Sequence, residues 1–150
     1  MSVSRLTILK SFIETIPIPD NYAVRYSNDP VDENSPKGDR IIVGRDRFLR
    51  VFIGPSVEKS DNRGCCSSNT FCESTIEIVT PTQDGLEEAM QIEMLIRKAV
   101  KNACPWPYNP EYLLVIRADG ISTDPQFTEN MSRSVLPVNI KYKITFLEND

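Results

Sequence analysis

Val138-Asn139-Ile140-Lys141-Tyr142-Lys143-Ile144-Thr145-Phe146 alternates apolar and polar side chains almost without error. A period of two sets Val138, Ile140, Tyr142, Ile144 and Phe146 on one face and the polar residues on the other, which predicts a half-buried strand. Upstream, Tyr112-Leu113-Leu114-Val115-Ile116 is apolar on both faces and predicts a central strand, covered by helix on one side at least. Thr75-Ile76-Glu77-Ile78-Val79-Thr80 is a third strand. Between the last two the period changes to that of a helix. Asp84 stands as its cap with Glu87 three residues on, a variant of the capping box. Leu86, Ala89, Ile92, Leu95, Ile96, Ala99, Val100 and Ala103 form one apolar stripe. Glu87, Glu88 and Glu93 lie in the first half and Arg97, Lys98 and Lys101 near the end, as the helix dipole favours. Pro105 and Pro107 end the helix.

Working back to the N-terminus, Leu6, Leu9, Ile13 and Ile16, with Phe12 beside them, recur at helical spacing after Ser4, a plausible N-cap, and stop at Pro17 and Pro19. Asn21 to Tyr26 predicts a short strand with Tyr22, Val24 and Tyr26 on one face and Ala23 and Arg25 on the other. Arg40 to Val43 and Arg47 to Ile53 look extended, the second run dividing Leu49, Val51 and Ile53 from Phe48, Arg50 and Phe52. Three long polar connections, near 28–39, 54–74 and 118–134, interrupt these elements, and the runs flanking 54–74 suit an antiparallel hairpin with an elongated tip. The order predicts one α+β domain over 1–150: a mostly antiparallel sheet of about four to six strands with two main helices packed on one face.

Composition narrows the function classes. With 150 residues and 40% hydrophobic content the chain can form a core without metal or disulfide staples. A balance of 17 basic to 21 acidic residues, net charge -4, argues against a dedicated nucleic-acid binder but leaves room for a local basic patch. There is no apolar run near the roughly 20 residues that span a bilayer and no signal-peptide core, so a soluble, cytoplasmic product without membrane contact is expected. Histidine is absent, which removes the commonest general base and transition-metal ligand.

The candidate sites are sparse. Cys65, Cys66, Cys72 and Cys104 form a vicinal pair, a gap and a lone residue, not the paired spacing of zinc sites, so no metal is expected; free thiols are the default for a cytosolic product, and a disulfide among the loop cysteines is the alternative for one that ends up outside a cell. Asp29-Pro30-Val31-Asp32-Glu33-Asn34 lacks the alternation of a calcium loop. The glycines never form a phosphate-binding motif, so no cofactor is expected. Arg40, Arg45, Arg47 and Arg50 form a basic run that Lys59 and Arg63 extend, either a surface for DNA phosphate or an acidic partner, or a charged strand edge. Trp106, within Cys104-Pro105-Trp106-Pro107-Tyr108-Asn109-Pro110, either anchors a partner or caps the chain's own core. Asp119, Asp124 and Arg133 mark the one connection where an enzyme or ligand site would fit, without a nucleophile-base pair to support it.

Taken together, an N-terminal helix, strands broken by polar loops, the acidic-to-basic helix from Asp84 to Ala103, and two closing strands with Ser132-Arg133-Ser134-Val135-Leu136-Pro137-Val138 entering the last one resemble the tail-terminator (tail-completion) proteins of long-tailed bacteriophages. That resemblance covers nearly the whole chain and rests on architecture and size. It implies a non-enzymatic virion subunit, assembled in the host cytoplasm into a hexameric ring at the head-proximal end of the tail. Such a ring ends tail-tube polymerisation and meets the tube, the sheath where present, and the neck or connector proteins, while DNA passes through without specific binding. Arg45, Arg47, Arg50, Lys59, Arg63, Trp106, Asp119 and Arg133 are the expected interface residues. Another head-tail joining or neck protein, and less readily a small enzyme subunit or ligand-binding domain, are the competing expectations.

Overall fold

A computed structural model describes residues 4–26, 47–60, 67–82, 85–103, 105–130 and 133–147. Its elements in chain order are α1 (Arg5–Glu14), β1 (Ala23–Tyr26), β2 (Phe48–Ser60), β3 (Ser67–Pro81), α2 (Gly85–Ala103), β4 (Trp106–Pro107), β5 (Tyr112–Thr123), β6 (Phe127–Asn130) and β7 (Arg133–Leu147). The Ser4 side chain accepts from the Thr7 backbone N–H and caps α1. The expected cap Asp84, the run Arg40 to Val43 and the connection 28–39 lie outside the described residues.

The fold is α+β. Among the described residues seven strands form one mixed sheet in the order β1-β2-β3-β7-β5-β4, with β6 also beside β7. The β1–β2 pair is parallel and the others antiparallel. The expected four to six strands are thus exceeded, and one pair departs from the antiparallel pattern. Tyr112 to Ile116 is not the central strand: β5 has only the two-residue β4 outside it, while β7 pairs with β3 along its full length. Two of the expected polar connections are largely strand. The β2–β3 hairpin continues to Ser60↔Ser68, and 118–134 holds the end of β5, all of β6 and the start of β7.

Pro137 accounts for the break between β5 and β6. Its carbonyl accepts from the Asp124 N–H, so its missing N–H would have pointed to the same side, toward the 124–126 gap between Thr123 and Phe127.

Both helices bury against one face of this sheet. Ile8, Leu9, Phe12 and Ile13 of α1, Ala89, Ile92, Ile96 and Val100 of α2, and the inward residues of the strands, such as Ile76, Ile78, Leu114, Val138 and Ile140, share one core. The stripe expected on α2 holds for Ala89, Ile92, Ile96 and Val100, with Leu95, Ala99 and Ala103 partly buried. Leu86 departs from it and is exposed, because the buried arc turns away from it at the first turn. No described helix is long and apolar enough to cross a membrane.

Two hydrogen-bonded groups tie α2 to the sheet at either side. Glu88 accepts from the Tyr22 hydroxyl at 3.0 Å and from Arg47 Nε and Nη2 at 2.9 and 3.1 Å. Glu93 accepts from Arg97 Nε at 2.9 Å and from the Thr123 hydroxyl at 3.0 Å. Arg47 holds the Glu88 carboxyl below the usual glutamate range, and Glu88 in turn raises Arg47. Burial, with help from Glu88, raises the Tyr22 phenol.

Candidate functional site

Strand alternation leaves the sheet a second face with no described helix on it. It carries Phe48, Arg50 and Phe52 of β2, Phe71, Glu73, Thr75, Glu77 and Val79 of β3, and Val135, Asn139, Lys141 and Lys143 of β7. At one end this outer face makes its own small core, in which Ala23, Phe48, Val79 and Val135 are all buried. Arginines cover it. The guanidinium carbons of Arg25, Arg133 and Arg50 lie 4.3, 5.3 and 5.6 Å from the Phe48 ring centre, where the ring's negative face attracts a cation. Arg50 reaches Glu77 at 3.0 Å and Glu129 at 2.8 Å. Burial, reinforced by Arg133 and Arg50 nearby, lowers the Arg25 guanidinium from its usual value.

At the middle of the face two strands carry extra residues on one line. In β2, Gly54 and Pro55 stand against Glu73 alone, since Ile53 pairs with Ser74 and Ser56 with Cys72. In β5, Arg117 to Gly120 stand against Lys141 alone, since Ile116 pairs with Tyr142 and Ile121 with Ile140. Glu73 and Lys141 are themselves register partners between β3 and β7. Bulges bend the strands that carry them, so this line makes a crease across the sheet. A Cβ on Gly54 would stand 2.8 Å from the Glu73 carbonyl oxygen, and one on Gly120 would stand 2.7 Å from that of Lys141, so both positions require glycine.

The crease opens into a trough of about 600 Å³. Val57, Phe71 and Val115 give it apolar walls, and Arg117, Lys141 and Lys143 make it basic against Glu73 and Asp119. Directly beneath, on the helix side, the buried hydroxyls of Ser74 and Tyr142 share a hydrogen bond of 2.8 Å. Burial pushes the Tyr142 phenol up to about 12 and raises the Cys72 thiol.

The expected site residues separate on this structure. Arg47 and Arg50 are committed to carboxylates of the same chain, which favours their reading as a structural charge pattern over one as a DNA surface. Arg133 covers Phe48 and Asp119 is exposed in the trough wall. Trp106 packs its ring 5.7 Å from Phe12 and 6.2 Å from Tyr108, as a cap on the chain's own core does. Asp124 accepts from Asn139 Nδ2, away from both Asp119 and Arg133 in its partners. Arg45 and Arg63 lie outside the described residues, as do Cys65, Cys66 and Cys104, and of Lys59 only the backbone is described. Cys72 is a free, buried thiol, and among the described residues no group of three or more potential ligands could hold a metal ion. Sequence reasoning missed the trough itself. Its signal was a Gly-Pro at the end of a strand-like run and a lone glycine in a polar connection, which mark bulges as well as turns.

No family model and no curated protein matches the chain. Among solved structures 26 chains match. One of them, whose name states no function, covers 99% of this chain and 100% of its own length with a TM-score of 0.58 at 13% identity. A likeness at that identity is one of fold.

Proposed function

We propose that the chain is a structural subunit of a phage tail that forms a ring at its head-proximal end, ends growth of the tail tube and presents a surface to the neck. The order of elements supports this reading, as does the division of the sheet into a filled and an open face. One observation carries it: on a sheet whose face beneath the helices is already packed, Phe52, Val57, Phe71 and Phe127 remain 43 to 57% exposed on the other face. Large apolar side chains gathered on one uncovered face mark a surface that meets other proteins. Assembly subunits need such a face and need no catalytic constellation.

The trough favours a second reading, a ligand-binding domain, because its volume lies within the range of small-molecule sites. Adding purified chain to polymerising tail tubes separates the two. A terminator stops growth at substoichiometric amounts and sits at one tube end in electron micrographs; tubes that lengthen unchanged, with no chain at their ends, refute the terminator reading.

A further inference from the structure

A second uncovered apolar surface lies on α2, on the opposite side of the sheet from the trough. Leu86, Met90 and Met94 follow one another at four-residue spacing and so stand in one row, and they are 48, 52 and 69% exposed. At about 1.5 Å per residue the row is about 12 Å long. The trough crosses β2, β3, β7 and β5, and three gaps of about 4.8 Å give it a width of about 14 Å. The two surfaces therefore match in extent. They also differ in charge. Exposed Glu87 adjoins the row at the acidic start of α2 and exposed Lys98 continues it at the far end, whereas the trough sets three cations, Arg117, Lys141 and Lys143, against two carboxylates, Glu73 and Asp119.

We infer that the occupant of the trough is a second copy of this chain: the Leu86-Met90-Met94 row of one subunit seats on Phe71 and Val57 of the next, with Glu87 toward Arg117, Lys141 and Lys143. This rests on the reading of the chain as an assembly subunit. Placement on opposite sides decides the symmetry. A two-fold contact through either surface would leave the other bare, while a head-to-tail contact covers both and repeats from subunit to subunit. Methionine suits the row because its unbranched, polarisable side chain adapts to an irregular wall.

Sedimentation of three full-length proteins tests this: the native chain, a row variant with Met90→Asp and Met94→Asp, and a trough variant with Val57→Asp and Phe71→Asp. All four residues are exposed, so each variant keeps its fold, which circular dichroism checks. The native chain should self-associate, and each variant alone should weaken association by more than about tenfold, because a buried unpaired carboxylate opposes the contact. An equal mixture of the two variants should form a two-subunit complex and nothing larger, since one intact row and one intact trough remain. A trough variant that still pairs with itself indicates a two-fold row-to-row contact and overturns the inference. Association that neither variant changes also overturns it, as does a native chain that stays monomeric at every concentration. Capping of tail tubes is read separately, so the inference can fail while the proposed function stands.

Discussion

The Ser74–Tyr142 hydrogen bond fixes the ladder beneath the trough, and a double-mutant cycle measures it. Both side chains are nearly inaccessible, at 3 and 4% exposure, and their oxygens are 2.8 Å apart. Ser74→Ala removes one partner and strands the buried phenol hydroxyl, which costs about 1–3 kcal/mol. Tyr142→Phe strands the serine hydroxyl at a cost of about 1 kcal/mol. Changing both leaves no unsatisfied group, so the double variant should be little worse than the weaker single one, with a coupling of at least about 1 kcal/mol. Urea unfolding at neutral pH gives all four stabilities. The same pair sets an alkaline limit. Burial raises the phenol from 10.0 to about 12, so the stability it contributes is complete below pH 10 and is lost as pH rises through about 12. A shift of that size corresponds to about 3 kcal/mol. Tyr142→Phe cannot lose this contribution, and its stability should approach and then pass that of the native chain across the window. Additive single effects would refute the bond, and parallel pH profiles for the native and Phe proteins would refute the burial of the phenol.

Three further outcomes follow from the same geometry. Gly54→Ala and Gly120→Ala should each destabilise the fold by about 1–3 kcal/mol in urea melts, since the new methyl meets a carbonyl oxygen of the neighbouring strand; unchanged midpoints would disprove the close approach. Glu88→Gln should cost about 0.5–1 kcal/mol at pH 7, as Arg47 and Glu88 are about a third exposed. Because Arg47 lowers the Glu88 pKa, that contribution exists above the ordinary glutamate range and fades as pH falls through the lowered folded value, so acid melts of variant and native chain should converge on the acid side of the ordinary glutamate range. Ile96→Ala, in the buried arc of α2, should cost about 2–5 kcal/mol, whereas Met94→Ala, in the exposed row, should change monomer stability by less than about 0.5 kcal/mol in thermal melts.

Periodicity made most of this fold legible. The alternation of Val138 to Phe146, the division of Leu49, Val51 and Ile53 from Phe48, Arg50 and Phe52, and the cap at Ser4 all correspond to observed faces and contacts. Strand length was not legible, because Ser67 to Glu73 and Ala118 to Thr123 carry few of the side chains that announce a strand. Their pairing comes from long neighbours, β7 above all, and not from local preference. The trough was hidden for a related reason. Gly54 and Gly120 read as turn residues in isolation, and only the register shows both bulges falling on the Glu73–Lys141 line. Nor does spacing reveal that Arg25, Arg50 and Arg133, far apart in the chain, meet over one phenylalanine.

Tail length in the absence of this protein tests the account's central claim most directly. If the chain is the proposed terminator, particles assembled from all other tail components without it, imaged by electron microscopy, should show overlong tubes that never join heads, and supplying the chain should restore one fixed length. Tails of normal length without it, joined or unjoined to heads, would contradict the account.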